Sequence, residues 1–191
     1  MNICVYGASS NEIDKRFLDA TELLGEEIGK RGHNLVFGGG ASGVMGAAAR
    51  GTKRENGGIY GISPHFFNVD GILYQECTEL IYTETMRERK KILSDMSDGF
   101  VIAPGGVGTL DEFFEVLTLK QLQRHNKPIV ILNTLGFYDD MINMLDKMAE
   151  MNFMKTATTK LFKVTDDISE AISYIENYDE EQVEINKLKN I

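Results

Sequence analysis

The chain has 191 residues, of which 42% are hydrophobic and 26% charged, and a formal net charge of −9. This is the composition of one ordinary globular domain with a sizeable core. The acidic balance gives no electrostatic footprint for a nucleic-acid backbone, and no stretch approaches ~18 consecutive apolar residues, so neither nucleic acid nor a membrane is expected as a partner.

Cys4 and Cys77 form no CxxC pair and sit in apolar surroundings, which reads as two reduced core residues. His33, His65 and His125 are too scattered for metal-ligand spacing, and no metal is expected. The opening MNICVYGASS has neither a charged start nor a long apolar run, so it is not a signal peptide, and a cytoplasmic protein is expected.

In chain order, NICVY (2–6) predicts a first strand, and residues 14–32 a helix with Phe17, Thr21, Leu24 and Ile28 on one stripe and Gly32 to close it. NLVFG (34–38) predicts a second strand, followed by GGGASG (38–43) and a helix through VMGAAARGTKR. GIYGI (58–62) is a third strand, and the stretch to residue 83 reads as a loop with one further strand near 72–81. TMRERKKILSDM (85–96) is helical, GFVIA (99–103) a strand, and a helix begins at Leu110. PIVIL (128–132) is a strand, and 137–150 a helix with Phe137, Met141, Met144, Leu145 and Met148 in period. LFKV (161–164) is the last strand. Continuous apolar strands alternating with helices predict a doubly wound parallel α/β domain over residues 1–178, with a charged helix or tail over 179–191.

Two glycine loops follow strands in this scheme. In the first, Gly38, Gly40 and Gly43 fill the glycine places of a dinucleotide fingerprint. The fingerprint also needs an acid about twenty residues on, where the chain reads IYGISPHFF with no acid before Asp70; the loop also follows the second strand rather than the first, so an NAD site is disfavoured and no cofactor is expected. What remains is bare backbone at Gly39, Gly40, Gly43 and Gly46, serving either a ligand or close helix–strand packing. The second loop, Pro104-Gly105-Gly106-Val107-Gly108-Thr109, lacks the lysine of a Walker loop. Its N–H groups at a helix N-terminus suit a phosphate, with Thr109 adding a hydroxyl. Both loops lie at the carboxyl ends of strands, where open α/β sheets bind ligands.

Two charges stand out. Glu112 follows Thr109 by three, which fits a capping box, yet it also lies on a stripe with Val116 and Leu119 in an apolar helix beside the loop. In 85–96, Met86, Ile92, Leu93 and Met96 define an apolar face, and Arg89 points into it while Arg87 and Lys91 point away. An inward guanidinium needs an anion: Glu112, a ligand phosphate, or both.

GGGASGVMG (38–46), MRERK (86–90) and PGGVGTLDE (104–112) together resemble the LONELY GUY family, often mislabelled lysine decarboxylases, over nearly the whole chain to about residue 165. The resemblance implies a dimeric Rossmann-like domain that hydrolyses the N-glycosidic bond of cytokinin riboside 5′-monophosphates, and commonly AMP, releasing base and ribose 5-phosphate. By motif position it implies Arg89 and Glu112 as catalytic residues. It further implies substrate binding by Gly105, Gly106, Gly108, Thr109 and Lys90, to which the glycine loop adds Gly39, Gly40 and Gly43. Residues 64–85 depart from the plant members, which leaves the base open. No lysine and phosphate constellation for pyridoxal phosphate is evident.

A binding module for a phosphorylated ligand, similar to molybdenum-cofactor carriers, is the alternative, with a nucleotide-binding regulatory protein as a third. The Arg89–Glu112 pair discriminates, because binding alone does not require it. The helix from Leu110 shows Phe113, Phe114, Val116, Leu117, Leu119 and Leu122 over most of its surface, which predicts a homodimer built on it, with the second chain close to the site.

Overall fold

The computed structural model describes residues 1–179, so the charged segment expected from 179 onward lies, from residue 180, outside the described residues. Seven strands form one parallel sheet in the order β4-β3-β2-β1-β5-β6-β7. They are β1 (Asn2–Tyr6), β2 (Asn34–Phe37), β3 (Ile59–Pro64), β4 (Glu79–Thr83), β5 (Gly99–Ile102), β6 (Ile129–Leu132) and β7 (Lys163–Thr165). The helices are α1 (Lys15–Lys30), α2 (Gly43–Arg54), α3 (Met86–Met96), α4 (Val107–Gln121), α5 (Asp139–Glu150) and α6 (Ile168–Glu176). The expected doubly wound architecture is what the chain adopts.

The two-residue period of the strands sorts the helices. Ile3, Val5, Leu35, Phe37, Val101 and Val130 face one way and pack with Leu24 and Ile28 of α1, Ala48 of α2 and Ile172 of α6. Cys4, Tyr6, Val36, Ile62, Phe100 and Ile131 face the other way, against Leu93 of α3, Phe113 and Val116 of α4 and Leu145 of α5. On the first face α1 and α2 approach until backbones touch: a Cβ on Gly25 would lie 2.1 Å from the Ala48 carbonyl oxygen.

Register places Val5 beside Phe37 and Tyr6 beside Ile102, so β1 runs between β2 and β5. Chain order reverses there, and the loops leaving β1 and β5 diverge to opposite faces. Such a switch point opens a crevice beyond the carboxyl ends of the strands.

Some elements differ from expectation. β4 begins at Glu79 rather than near 72, because it is an edge strand whose half-exposed residues blur the apolar signal. β7 starts at Lys163, and the buried Leu161 and Phe162 that suggested a strand lead into it instead. Helix α5 buries only Leu145, and Met144 is exposed. Phe137 sits in the turn before α5, edge-on to Phe17 of α1. Cys4 and Cys77 are free thiols, with burial pushing them up to about 12 and about 11. Among the described residues no cluster of three His, Cys, Asp or Glu side chains could hold a metal, and no helix is long and apolar enough to cross a membrane.

Candidate active site

A cleft of two adjoining lobes occupies the switch point. One lobe, 410 Å³, is lined by Gly7, Ala8, Ser9 and Ser10 after β1 and by Gly106, Gly108, Thr109, Asp111 and Glu112 at the start of α4. The other, 380 Å³, is lined by Gly38, Gly40 and Ser42 of the first glycine loop, by Ser63 of β3 and by Gly71, Ile72 and Leu73. Ser9, Met45, Phe67 and Arg89 border both.

Helix α4 begins at Val107 with Gly106 as its N-cap and no side-chain cap. It therefore starts three residues earlier than Leu110, and the capping box between Thr109 and Glu112 does not form. Thr109 is instead the third helical residue, packed so closely on Gly105 that a Cβ there would lie 2.1 Å from its Oγ1. The first N–H groups of a helix have no partner within it, and here they border the first lobe. With the helix dipole they make it a place for an anion.

Arg89 is set by α3. The Thr85 hydroxyl accepts the N–H of Glu88 at 3.1 Å and fixes where the helix starts, which turns Arg89 and Leu93 inward. Arg89 Nη1 donates to Glu112 Oε1 at 2.8 Å, and its Nε donates to the Ile62 carbonyl at 3.1 Å. The two side chains are 8% and 10% exposed, so this is a buried ion pair. Glu112 Oε2 has no hydrogen bond among the described residues. Burial pushes the Glu112 carboxyl above its ordinary range, and Arg89 restrains that rise only in part. A desolvated carboxylate with one oxygen fixed can stabilise positive charge or orient water beside it.

A family profile described as "Possible lysine decarboxylase" matches residues 45–175. The cytokinin riboside 5′-monophosphate phosphoribohydrolase of Mycobacterium tuberculosis is 34% identical over 170 residues, covering 89% of this chain and 90% of that protein. Cytokinin riboside 5′-monophosphate phosphoribohydrolase LOG5 of Arabidopsis thaliana is 33% identical over 176 residues, 92% of this chain and 77% of that one. The chain belongs to the LONELY GUY family. Among solved structures, the molybdenum cofactor carrier protein of Chlamydomonas reinhardtii aligns with a TM-score of 0.72 at 24% identity, covering 92% of this chain and 95% of that one, a likeness of fold.

The residues that carry the LONELY GUY resemblance divide on the structure. Arg89, Glu112, Gly40, Gly106, Gly108 and Thr109 border the cleft as expected. Lys90 turns away from it: its ammonium is 3.0 Å from Asp111 and also pairs with Glu115. Burial would lower its pKa, but Glu115 and Asp111 outweigh that and raise it. It is thereby placed to neutralise Asp111 at the edge of the anion lobe rather than to reach a ligand.

Gly43, Gly39 and Gly105 serve packing. A Cβ on Gly43 would lie 2.5 Å from the Ala8 carbonyl oxygen, and its φ of +63° and the Asn11 side chain, which accepts its N–H at 2.7 Å, fix the start of α2 against the loop after β1. Gly39, at φ +78°, lies under Ser63, Leu73 and Leu80. Gly105 is pressed between Thr109 and the Ala8 N–H.

Pyridoxal phosphate, which the decarboxylase description suggests, needs a lysine amine reaching into the cleft. No lysine is among the residues lining either lobe, and Lys90 is held by two carboxylates, so the site does not fit that cofactor. Ser9, Ser10, Ser63 and Phe67 went unread in the sequence. The signal for the first two was their place after β1, whose carboxyl end must border the crevice of a doubly wound sheet.

Proposed function

We propose that the protein is a hydrolase that cleaves the N-glycosidic bond of a nucleoside 5′-monophosphate, a cytokinin riboside 5′-monophosphate or AMP, into free base and ribose 5-phosphate. The observation that carries the reading is the buried Arg89–Glu112 pair, placed within the same lobe as the exposed N–H groups of α4. The names of relatives at 33–34% identity support it.

The phosphate takes the start of α4 and Thr109, and the base takes the lobe beside Ile72 and Leu73. Breaking the C1′–N bond sends its electron pair to the base and leaves positive charge on the ribose. Glu112 stabilises that charge and orients the water that adds to C1′. The water's proton balances the one gained by the departing base nitrogen. Arg89 stays protonated throughout, so it is no base; it holds Glu112 and binds the ribose or phosphate. We place the enzyme in the cytoplasm, where free thiols such as Cys4 and Cys77 stay reduced, and assign it a homodimeric assembly through the outer face of α4.

The test is a panel of nucleoside monophosphates assayed for free base by chromatography. Release from at least one supports the reading. Release from none shifts it to the alternative, a non-catalytic carrier of a phosphorylated ligand.

A further inference from the structure

Tyr138 borders neither lobe, yet its hydroxyl grips the turn that opens the anion loop. The hydroxyl donates to the Ala103 carbonyl at 2.9 Å, and the phenolic oxygen is itself engaged by the Gly105 N–H. Between them Pro104 has no N–H, and its carbonyl accepts the N–H of Ala8 at 3.1 Å. The two carbonyls that precede the loop are therefore both occupied, one by Tyr138 and one by the loop after β1.

That occupancy matters for an anion. A loop that binds phosphate must show it N–H groups and keep carbonyl oxygens turned away, because each carbonyl dipole facing the ligand repels it. A rotation of the peptide between Ala103 and Pro104 would undo this. Tyr138 is only 3% exposed, so no bulk water competes for its hydroxyl, and burial keeps the phenol protonated and donating.

The chain holds this ring in place with unusual effort. Asn133 Oδ1 accepts the Tyr138 N–H at 2.7 Å, and Asn133 Nδ2 donates to Asp139 Oδ1 at 2.7 Å. Between them Leu135 and Gly136 are left-handed, at φ 56° and 70°. A leucine in that region persists only where its surroundings over-determine it. Here the strained turn delivers one side chain beneath Pro104.

We propose that Tyr138 is a positioning residue for the anion-binding loop, fixing which backbone groups Gly106 to Thr109 present to a phosphate. The proposal deepens the phosphoribohydrolase reading, and only the kinetic arm of its test depends on that reading. Tyr138→Phe keeps the ring, which packs with the core and beside Phe137, and removes only the tether. The affinity for ribose 5-phosphate, measured by titration calorimetry, is expected to fall about tenfold. KM for AMP is expected to rise by a similar factor with kcat within about threefold, and kcat/KM for adenosine to stay unchanged. Asn133→Ala, which releases the turn from the other side, is expected to shift the same quantities in the same direction. A general loss of structure would lower adenosine and AMP turnover alike, and that result overturns the proposal. So does ribose 5-phosphate affinity equal to wild type in Tyr138→Phe. If the wild-type protein releases no base but Tyr138→Phe still loses ribose 5-phosphate affinity, the positioning role stands and the hydrolase reading falls.

Discussion

A methyl group on Gly38 would lie 1.9 Å from Nη2 of Arg89, so the last residue before the first glycine pair is what gives the guanidinium its room. Gly38 thus serves neither a dinucleotide nor a turn. It lets β2 run past a side chain that reaches under it from α3 to Glu112.

Gly38→Ala tests this directly. The atom it meets is the far end of a flexible side chain, so the fold can yield, with a stability loss expected of about 1–3 kcal/mol from the displaced buried pair. The guanidinium cannot yield without leaving Glu112 or the Ile62 carbonyl. Base release is expected to fall about a hundredfold or more, in line with losing one preorganised electrostatic group. Wild-type turnover in this variant would show that the position of Arg89 is immaterial.

Glu112→Gln is expected to abolish base release while leaving nucleotide binding within about tenfold, because it keeps the shape of the side chain and removes the charge that the transition state needs. Burial raises the Glu112 pKa above its ordinary 4.5, and in the proposed mechanism the carboxylate is the active form. Activity should therefore fall on the acid side at a pH above 4.5. Arg89 lowers that pKa, so Arg89→Gln should move the remaining acid limb further up. A pH–rate profile with its acid limb at or below 4.5 would argue against Glu112 as the titrating group.

His125 supplies a separate pH dependence, in stability rather than rate. Its Nε2–H donates to the Val116 carbonyl at 2.9 Å and its Nδ1 accepts the Lys127 N–H at 3.1 Å, so the folded protein holds it neutral. Burial, with Lys120 and Lys127 nearby, lowers its pKa from 6.5 to about 4. The unfolded chain takes up a proton first, so stability is complete above 6.5 and is lost as pH falls toward 4. With partial solvent access the loss is expected to be about 1–2 kcal/mol. Denaturant titrations between pH 7 and 4 should show that slope in wild type and a flatter one in His125→Gln.

The apolar surface that α4 offers a second subunit is narrower than its sequence suggests. Phe113, Val116 and Leu117 are buried in their own subunit, which is why α4 looked apolar over most of its surface. What remains outward is Val107 at 85% and Phe114 at 38% exposed, two helical turns apart, with Leu119 and Leu122 half-buried. A homodimer through that face should dissociate in Phe114→Glu and lose activity with dissociation. Sedimentation across a dilution series, read beside turnover, decides it: a fully active monomer excludes the arrangement.

Arg89 and Glu112 were legible in the sequence because a charge on an apolar stripe leaves few physical options. The parallel sheet was legible for a similar reason, since strands covered on both faces leave unbroken apolar runs. Lys90 was not: it follows Arg89 in the motif, but one residue is a turn of about 100° on a helix, enough to carry it to Asp111 and Glu115. Whether Gly39, Gly43 and Gly105 serve packing or a ligand was not legible, because a glycine required by a neighbouring backbone and one required by a ligand look the same in sequence. Tyr138 gave no signal, since its role depends on a hydroxyl meeting a carbonyl 35 residues away.

The segment 65–78 is stitched to the first glycine loop by a bridge between Gly40 and Leu73, with Ala41 N–H on the Ile72 carbonyl and Tyr74 N–H on that of Gly39. Its Gly71, Ile72 and Leu73 wall one lobe, Glu112 and the start of α4 wall the other, and Phe67 stands between them. On the reading above, the wall that chooses a base and the wall that breaks its bond are thus inherited on separate stretches of chain. Substitutions at Ile72 or Leu73, which line only the base lobe, can shift which base is accepted without disturbing the ion pair. A lineage can change its substrate here and keep its chemistry.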